Sequence, residues 1–143
     1  MKANKINEMK VTLPALSANE AAARAIVGAF AASLDPTVEE LADLKCAVSE
    51  AVTNCIVHAY GGSGGLIYIS VALFDDRSIT VTVRDRGCGI PDVRLARQPL
   101  YTTNTDGERS GMGFSVMETF TDRLSVRSRI GVGTRVTMKK CLS

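Results

Sequence analysis

The chain lacks the residues and runs that mark several common classes of protein. It has one histidine and four cysteines among 143 residues, and no two cysteines have the C-x-x-C spacing of a structural zinc site. No apolar run approaches the ~20 residues that span a bilayer, and the polar start MKANKINEMK is not a signal peptide. We therefore expect a cytoplasmic protein without a membrane segment, with reduced thiols at Cys46, Cys55, Cys88 and Cys141.

The charge is also nearly balanced. The 17 lysines and arginines stand against 15 aspartates and glutamates, so the net charge is only +2. Bulk electrostatics thus gives no reason to expect direct binding to nucleic acid or to a membrane surface. The 45% hydrophobic content suits a soluble globular protein, and the chain shows no internal repeat. We expect residues 1–143 to form a single domain.

Capping signals and β-rich runs predict an α+β fold. Ser17 and Glu20 have the spacing of a capping box that opens a helix to about residue 34, and Thr37 and Glu40 have that of a second box. The second helix is long and is expected to end near Tyr60. Strands are predicted at 8–14, 66–74, 78–84, 124–129 and 133–139, with helical segments near 93–97 and from about 111 to 120. The order predicts one sheet with two hairpins and with helices on one face.

The long helix carries an unusual polar stripe. Glu50, Asn54 and His58 fall at i, i+4 and i+8, which places them on one face of a regular helix. A carboxylate there can orient a water or accept a hydroxyl proton, and an amide oxygen suits Mg2+. In isolation, Glu50 is also typical of a solvent-facing helix residue, and His58 of a structural or surface one. The opposite arc is apolar and suits a core: Leu41, Leu44, Val48, Val52, Cys55 and Ile56.

Two glycine-rich segments follow, DRGCGIPD at 85–92 and GERSGMGF at 107–114. In the first, the turn after Asp85 lets a flat ligand approach without a Cβ in the way, and the carboxylate can accept a hydrogen bond from an amine such as that of adenine. In the second, glycines precede a helix N-terminus, whose N–H groups can face phosphate oxygens, and Arg109 can add a charge-assisted contact.

Either glycine segment alone is also typical of an ordinary loop or a flexible turn. The second is not a Walker A loop, because it lacks G-x-x-x-x-G-K-[ST], and its position does not fit a dinucleotide-binding fingerprint. The helix stripe and the two segments in this order are far more specific than any one of them. Together they predict a nucleotide site that holds a metal-bound triphosphate.

With these motifs, the sequence resembles the GHKL ATPase superfamily and, within it, the anti-sigma factor serine kinases of sporulation. The closer match is carried by LSANEAAAR (16–24), VSEAVTN (48–54), ARQPLYTT (96–103) and ERSGMGF (108–114), and it covers about residues 8 to 140. The resemblance implies a two-layer α/β sandwich of the GHKL (Bergerat) type. Its sheet would be mixed but mostly antiparallel, with helices on one face.

The resemblance also implies roles for individual residues. Glu50 would be the general base or water-orienting carboxylate, Asn54 the Mg2+ ligand, and Asp85 the partner of the adenine amine. Arg24 would belong to a surface that meets protein partners. Further nucleotide contacts are implied for Gly87 and Gly89 in the adenine pocket, for Thr134 beside Asp85, and for Thr102, Thr103, Arg109, Ser110, Gly111 and Gly113 in a lid over the phosphates.

The function that the resemblance implies is that of an anti-sigma factor and protein serine kinase. It would bind and inhibit an RNA polymerase sigma factor, with sporulation sigma F expected. As a homodimer that binds ATP or ADP, it would use Mg-ATP to phosphorylate an anti-anti-sigma protein on serine. Two alternatives stay open: an ATP-binding module that sequesters a sigma factor without kinase activity, and the equivalent kinase of a general-stress sigma factor. A sensor histidine kinase is disfavoured, because the one histidine lies inside the helix motif.

Overall fold

The computed structural model describes residues 2–98 and 113–143, which form one five-stranded sheet with helices packed on one face. The strand order is β1-β2-β3-β5-β4, and all four pairings are antiparallel. This confirms the expected α+β sandwich, although the sheet has no parallel pair among the described strands. The strands are β1 (Lys5–Pro14), β2 (Leu66–Phe74), β3 (Ser78–Asp85), β4 (Arg123–Arg129) and β5 (Gly133–Cys141). The helices are α1 (Ala18–Ala31), α2 (Val38–Asn54), α3 (Val93–Ala96) and α4 (Gly113–Phe120).

The core lies between the sheet and the helices. Alternate residues of the central strands are buried, as expected when one face of a pleated sheet is covered. On α2, Leu44, Val48 and Val52 are almost completely buried, with at most 2% of each exposed. Each such side chain contributes about 2 kcal/mol through the area it removes from water. The buried strand residues facing the helices include Ile67, Ile69, Val71, Leu73, Ile79, Val81, Val83, Val136 and Met138.

The second predicted capping box is present and the first is not. Thr37 Oγ1 accepts from the N–H of Glu40 at 3.0 Å, and the Glu40 carboxylate accepts from the N–H of Thr37 at 2.9 Å. Ser17 makes no side-chain capping bond, because its own backbone is already helical. The prediction of a capping box at Ser17 is therefore wrong. The carboxylate of Glu20 is engaged elsewhere, by Ser49 of α2.

The long helix changes its winding at the end of the polar stripe. The α-helix ends at Asn54, and Cys55–Ala59 form a π-helical turn in which the N–H of Tyr60 donates to the carbonyl of Cys55 at 3.1 Å. The prediction of a regular helix to Tyr60 was thus wrong over its last turn. A π turn holds one more residue than an α turn. His58, four residues after Asn54, therefore no longer lies on the same helix face as Asn54. His58 is exposed.

The remaining boundaries differ from the predictions by a few residues. β1 begins at Lys5 rather than at residue 8, and a 3-10 turn at Ala32–Leu34 forms the end of the first predicted helix. The four cysteines are free thiols, as predicted. Within the described ranges, no helix has the length and hydropathy needed to cross a membrane.

Candidate functional site

The helix stripe meets the end of the second glycine segment. Gly113 is the first residue of α4, and α4 packs against α2. A Cβ placed on Gly113 would lie 3.3 Å from Asn54 Oδ1 and 3.4 Å from Glu50 Oε2. The two side chains therefore converge at the N-terminus of α4, in a space that Gly113 leaves open. A helix N-terminus favours negative charge, which suits a ligand that carries phosphate.

Glu50 and Asn54 are both half-buried. In residues 2–98 and 113–143, neither side chain makes a hydrogen bond or an ion pair. One turn before Glu50, burial raises the pKa of the Cys46 thiol, and the Glu50 charge raises it further. Cys46 thus stays protonated and adds no second negative charge beside Glu50. The carboxylate and the amide oxygen remain free to contact a ligand.

Asp85 lies at the other end of the site, at the C-terminus of β3. Its side chain is buried, and Oδ1 accepts from the N–H groups of Gly87 at 2.9 Å and Thr134 at 3.2 Å. The thiol of Cys55 donates a third hydrogen bond to this carboxylate. Burial raises the pKa of Asp85, and the three hydrogen bonds oppose that shift. The result is a buried, oriented acceptor at the edge of the sheet.

The glycines after Asp85 allow two close backbone approaches. A Cβ on Gly87 would lie 2.4 Å from the carbonyl oxygen of Ala59, at the end of the π turn. A Cβ on Gly89, where φ is +81°, would lie 2.4 Å from the carbonyl oxygen of Arg129. Cys88 completes this packing, since its N–H donates to the Ala59 carbonyl at 3.0 Å. The loop is therefore held between the π turn and β4, which fixes the direction of Asp85.

Ser128 is a site residue that the sequence interpretation missed. Its hydroxyl lies 2.8 Å from that of Thr134 and accepts from the N–H of Ile90 at 2.7 Å. It thereby ties the glycine loop to β5 beside Asp85. A signal was available, because counting outward from Gly131 in the predicted hairpin pairs Ser128 with Thr134.

Two residues assigned to the core or to a helix end also support the site. Cys55 follows Asn54 directly in sequence and bonds to Asp85, so it joins the two ends of the site. The hydroxyl of Tyr60 accepts from the N–H of Arg86 at 2.7 Å and donates to the carbonyl of Leu66 at 2.6 Å. Neither role has a local sequence signal, because both depend on contacts between distant segments.

Arg24 lies on α1, on the side that packs against α2. It is half-exposed, and its guanidinium is 3.3 Å from the Glu20 carboxylate, which also accepts from Ser49 next to Glu50. The predicted partner surface is thus connected to the helix that carries Glu50. The other predicted contacts, Thr102, Thr103, Arg109, Ser110 and Gly111, lie outside the described residues.

Within the described residues, Asp85 supplies an acceptor for an amine at one end of the candidate site, and Glu50 and Asn54 beside Gly113 supply oxygens for a cation at the other. Those residues contain no group of three or more histidine, cysteine, aspartate or glutamate side chains that could hold a metal by itself. A metal here would therefore take most of its ligands from a bound molecule. This arrangement suits a nucleotide with a polyphosphate chain.

Comparison with known proteins agrees with this geometry. A family model described as a histidine kinase-like ATPase domain matches residues 13–140. The anti-sigma F factor of Bacillus licheniformis is 53% identical over 138 residues, which are 96% of this chain and 94% of that protein. The chain belongs to the histidine kinase-like ATPase family, within the group of anti-sigma F factors. The anti-sigma F factor of Caldanaerobacter subterraneus subsp. tengcongensis is 54% identical, over 94% of this chain and 93% of that protein.

Solved structures share the fold at low sequence identity. The RsbU and RsbW domains of a Mycobacterium tuberculosis protein superpose with a TM-score of 0.69 at 22% identity, over 96% of this chain and 33% of that one. The catalytic domain of histidine kinase ThkA gives 0.60 at 17% identity, over 96% and 97% of the two chains. These likenesses confirm the fold class expected from the sequence.

Proposed function

We propose that this chain is an anti-sigma factor and a protein serine kinase that uses Mg-ATP. One observation supports the chemistry above all: Glu50 and Asn54 both point to the space at Gly113, where a Cβ would lie within 3.4 Å of each. A carboxylate and a neutral amide oxygen beside a helix N-terminus can supply a base, a cation ligand and phosphate contacts for phosphoryl transfer.

The described residues fit a nucleotide. Asp85 is a buried acceptor for the adenine amine, and the glycine loop beside it has no side chain to block a flat ring. At the opposite end, Asn54 Oδ1 is a hard neutral ligand of the kind that Mg2+ prefers. The absence of hydrogen bonds to Glu50 and Asn54 within residues 2–98 and 113–143 leaves both oxygens available. Gly113 leaves the space in which phosphate oxygens would face the α4 N–H groups.

The protein groups then have separate tasks. Asp85 orients the adenine, while Gly87 and Gly89 hold the loop close to it. Asn54 binds the cation, which when present neutralises charge on the phosphates. Glu50 accepts the proton of the attacking serine hydroxyl or orients that hydroxyl, and it can do so because no protein cation in the described part of the chain neutralises it.

The partners follow from the relatives rather than from the geometry. Relatives at 53% and 54% identity are named anti-sigma F factors, so we infer an RNA polymerase sigma factor of the sporulation type as one partner. An anti-anti-sigma protein would be the serine substrate. The surface around Arg24 would meet these proteins in a cytoplasmic homodimer. Its link through Glu20 and Ser49 to the Glu50 helix supports communication between that surface and the site.

A single experiment separates the kinase from a pure binding module. The purified chain is mixed with labelled Mg-ATP and a candidate anti-anti-sigma protein, and label on serine is measured. Glu50→Gln should lower transfer by about 10²–10⁴-fold with nucleotide affinity retained, because only the base is lost. Glu39→Gln, an exposed residue in the first turn of the same helix, is the matched control and should transfer normally. Tight ATP binding without serine labelling would instead support a sequestration module.

A further inference from the structure

The sheet face opposite the helices carries a row of arginines. Arg84 of β3 lies opposite Arg135 of β5, which in turn lies opposite Arg127 of β4. Their sequence neighbours Val83 and Val136 are buried against the helices, so alternation puts the arginines on the outer face. With neighbouring strands about 4.8 Å apart, three positive charges lie within roughly 10 Å across the sheet.

Arg86 and Arg129 extend this row at the same end of the sheet, and together the five residues form what we call the arginine face. Four of its residues are exposed and Arg84 is half-buried. None of the five makes an ion pair or a hydrogen bond through its side chain within residues 2–98 and 113–143, where cations such as Lys140 and Arg97 do have carboxylate partners. In a chain with a net charge of only +2, this is a strong local concentration of positive charge.

Part of the arginine face is held in place by an aromatic ring. The guanidinium of Arg84 lies 4.5 Å from the centre of the Tyr68 ring, and that of Arg86 lies 5.0 Å from it. Stacking restrains the planar groups while leaving their N–H edges free to bind carboxylates in pairs. Two like charges on one ring repel each other, so an anion bound between them would relieve an existing cost.

The arginine face also forms a groove with an apolar rim. The groove has a volume of about 370 Å³ and is lined by all five arginines and Val132. It also reaches Asp85, Ser128, Gly133 and Thr134 of the candidate site. At the β4–β5 turn, Ile130 and Val132 are 67% and 59% exposed. Positive charge next to exposed aliphatic side chains matches a protein segment that carries both acidic and apolar residues.

We propose that the arginine face is a docking surface for an acidic segment of a partner protein, with an apolar side chain of that segment placed on Ile130 and Val132. A second copy of this chain is disfavoured, because a two-fold contact would set the same positive charges against one another. Nucleic acid is disfavoured because the ring of Tyr68 is already covered by guanidinium groups and cannot stack on a base. The arginine side chains lie on the sheet face opposite α2, which carries Glu50, and their groove adjoins the Asp85 end of the candidate site.

The test uses the full chain and a short dye-labelled peptide of alternating glutamate and leucine, with binding followed by fluorescence anisotropy at low salt. The wild type should bind this peptide and should bind a glutamine-for-glutamate version at least about tenfold more weakly. Arg127→Ser with Arg135→Ser should weaken binding of the acidic peptide about tenfold or more. The matched control, Lys2→Ser with Arg94→Ser, removes the same charge from exposed sites elsewhere and should leave affinity within about twofold.

Ile130→Ser provides a second measurement that retains all the charges. It should lower the affinity for the acidic peptide severalfold. Thermal unfolding should show that each variant is folded. If Lys2→Ser with Arg94→Ser lost as much peptide affinity as Arg127→Ser with Arg135→Ser, the net charge alone would be responsible for binding, and the proposal would fail. It would also fail if the acidic peptide did not bind, or if a short single-stranded DNA bound more tightly than the peptide. Serine transfer by the same variants is measured in parallel, so failure of this surface and failure of the kinase remain distinguishable.

Discussion

Among the described residues, the polar groups around Asp85 bond to one another, whereas Glu50 and Asn54 make no such bonds. Asp85 accepts hydrogen bonds from two backbone N–H groups and a thiol, and Ser128 locks Thr134 beside it. At the other end, Glu50 and Asn54 converge beside Gly113 with no bonded partner in the described residues. The Asp85 end is thus a finished pocket before any ligand arrives. Within the described residues the Glu50–Asn54 end leaves both side chains without a bonded partner, which suits a site that binds and responds to a ligand.

The largest expected loss of stability is at the finished end, from Gly133→Ala. A Cβ there would lie 2.1 Å from the carbonyl oxygen of Asp85, and φ is +141°, a conformation that side chains other than glycine rarely adopt. The free energy of unfolding in urea should fall by about 3 kcal/mol or more. Gly131→Ala is the control, because it has open space around the Cβ and only a positive φ of +77°. It should lose about 1 kcal/mol of unfolding free energy. Equal losses in Gly131→Ala and Gly133→Ala would show that the backbone conformation, rather than the contact with Asp85, causes the destabilisation.

A smaller loss is expected from Ser128→Ala, which leaves the hydroxyl of Thr134 and the N–H of Ile90 without this partner. The free energy of unfolding should fall by about 1–2 kcal/mol, and ATP affinity should fall severalfold because the Asp85 pocket loosens. Ser125→Ala, at an exposed position on the same strand, should change stability by less than about 0.5 kcal/mol. Unfolding curves and calorimetric titration of ATP would measure both quantities. An ATP affinity equal in the two variants would mean that Ser128 does not support the pocket.

Asp85→Asn should lower ATP affinity without lowering the stability of the fold. Burial raises the pKa of this carboxyl, so the folded chain holds its proton more tightly than the unfolded chain does. Ionisation of Asp85 therefore removes stability as the pH rises through its folded pKa. At pH 7 the variant should be as stable as the wild type or more stable by about 1 kcal/mol, and this gap should narrow toward about pH 4. ATP affinity should nevertheless fall about 100-fold, because the amide presents a donor where the adenine amine needs an acceptor.

For Asp85→Asn, urea unfolding across that pH range and ATP titration at pH 7 are the measurements. Asp92→Asn is a suitable control, since this exposed residue caps α3 in the same loop and lies away from the buried pocket. A variant that is clearly less stable than the wild type at pH 7 would show that the negative charge holds the pocket together.

The difference between the Asp85 end and the Glu50–Asn54 end also explains how much of the site could be predicted from the sequence. Glu50, Asn54 and Asp85 could be named because helical spacing and a strand-to-glycine transition are local patterns, and the Thr37 capping box was correct for the same reason. The prediction at Ser17 failed because the Ser17 backbone is itself helical, and the Glu20 carboxylate contacts Ser49, 29 residues away, instead of returning to the N-cap. Local patterns cannot show such competition between partners.

The π turn was out of reach for a related reason, and the role of Ser128 can be inferred only when the pairing of two strands is considered. The turn at Cys55–Ala59 ends where the Gly87 loop approaches Ala59, so its winding is coupled to a contact between segments almost thirty residues apart. Ser128 acquires its role only once β4 and β5 are paired in register. The finished end of the site is therefore built from tertiary contacts, while the open end is carried by one helix and was the easier to predict.

Gly113→Ala should have the smallest effect on stability and provides the sharpest comparison with Gly133→Ala. Its Cβ would lie 3.3–3.4 Å from the ends of Asn54 and Glu50, two side chains that can shift, and alanine favours a helix over glycine by up to about 1 kcal/mol. Urea unfolding should thus show no loss beyond about 0.5 kcal/mol, while the methyl group fills the space for phosphate and lowers ATP affinity about tenfold. Because an alanine at each end tests the same chemical change, a destabilised Gly113→Ala would mean that the Glu50–Asn54 end is as tightly built as the Asp85 end. A site completed by its ligand could not then account for the lack of bonds to Glu50 and Asn54 within residues 2–98 and 113–143.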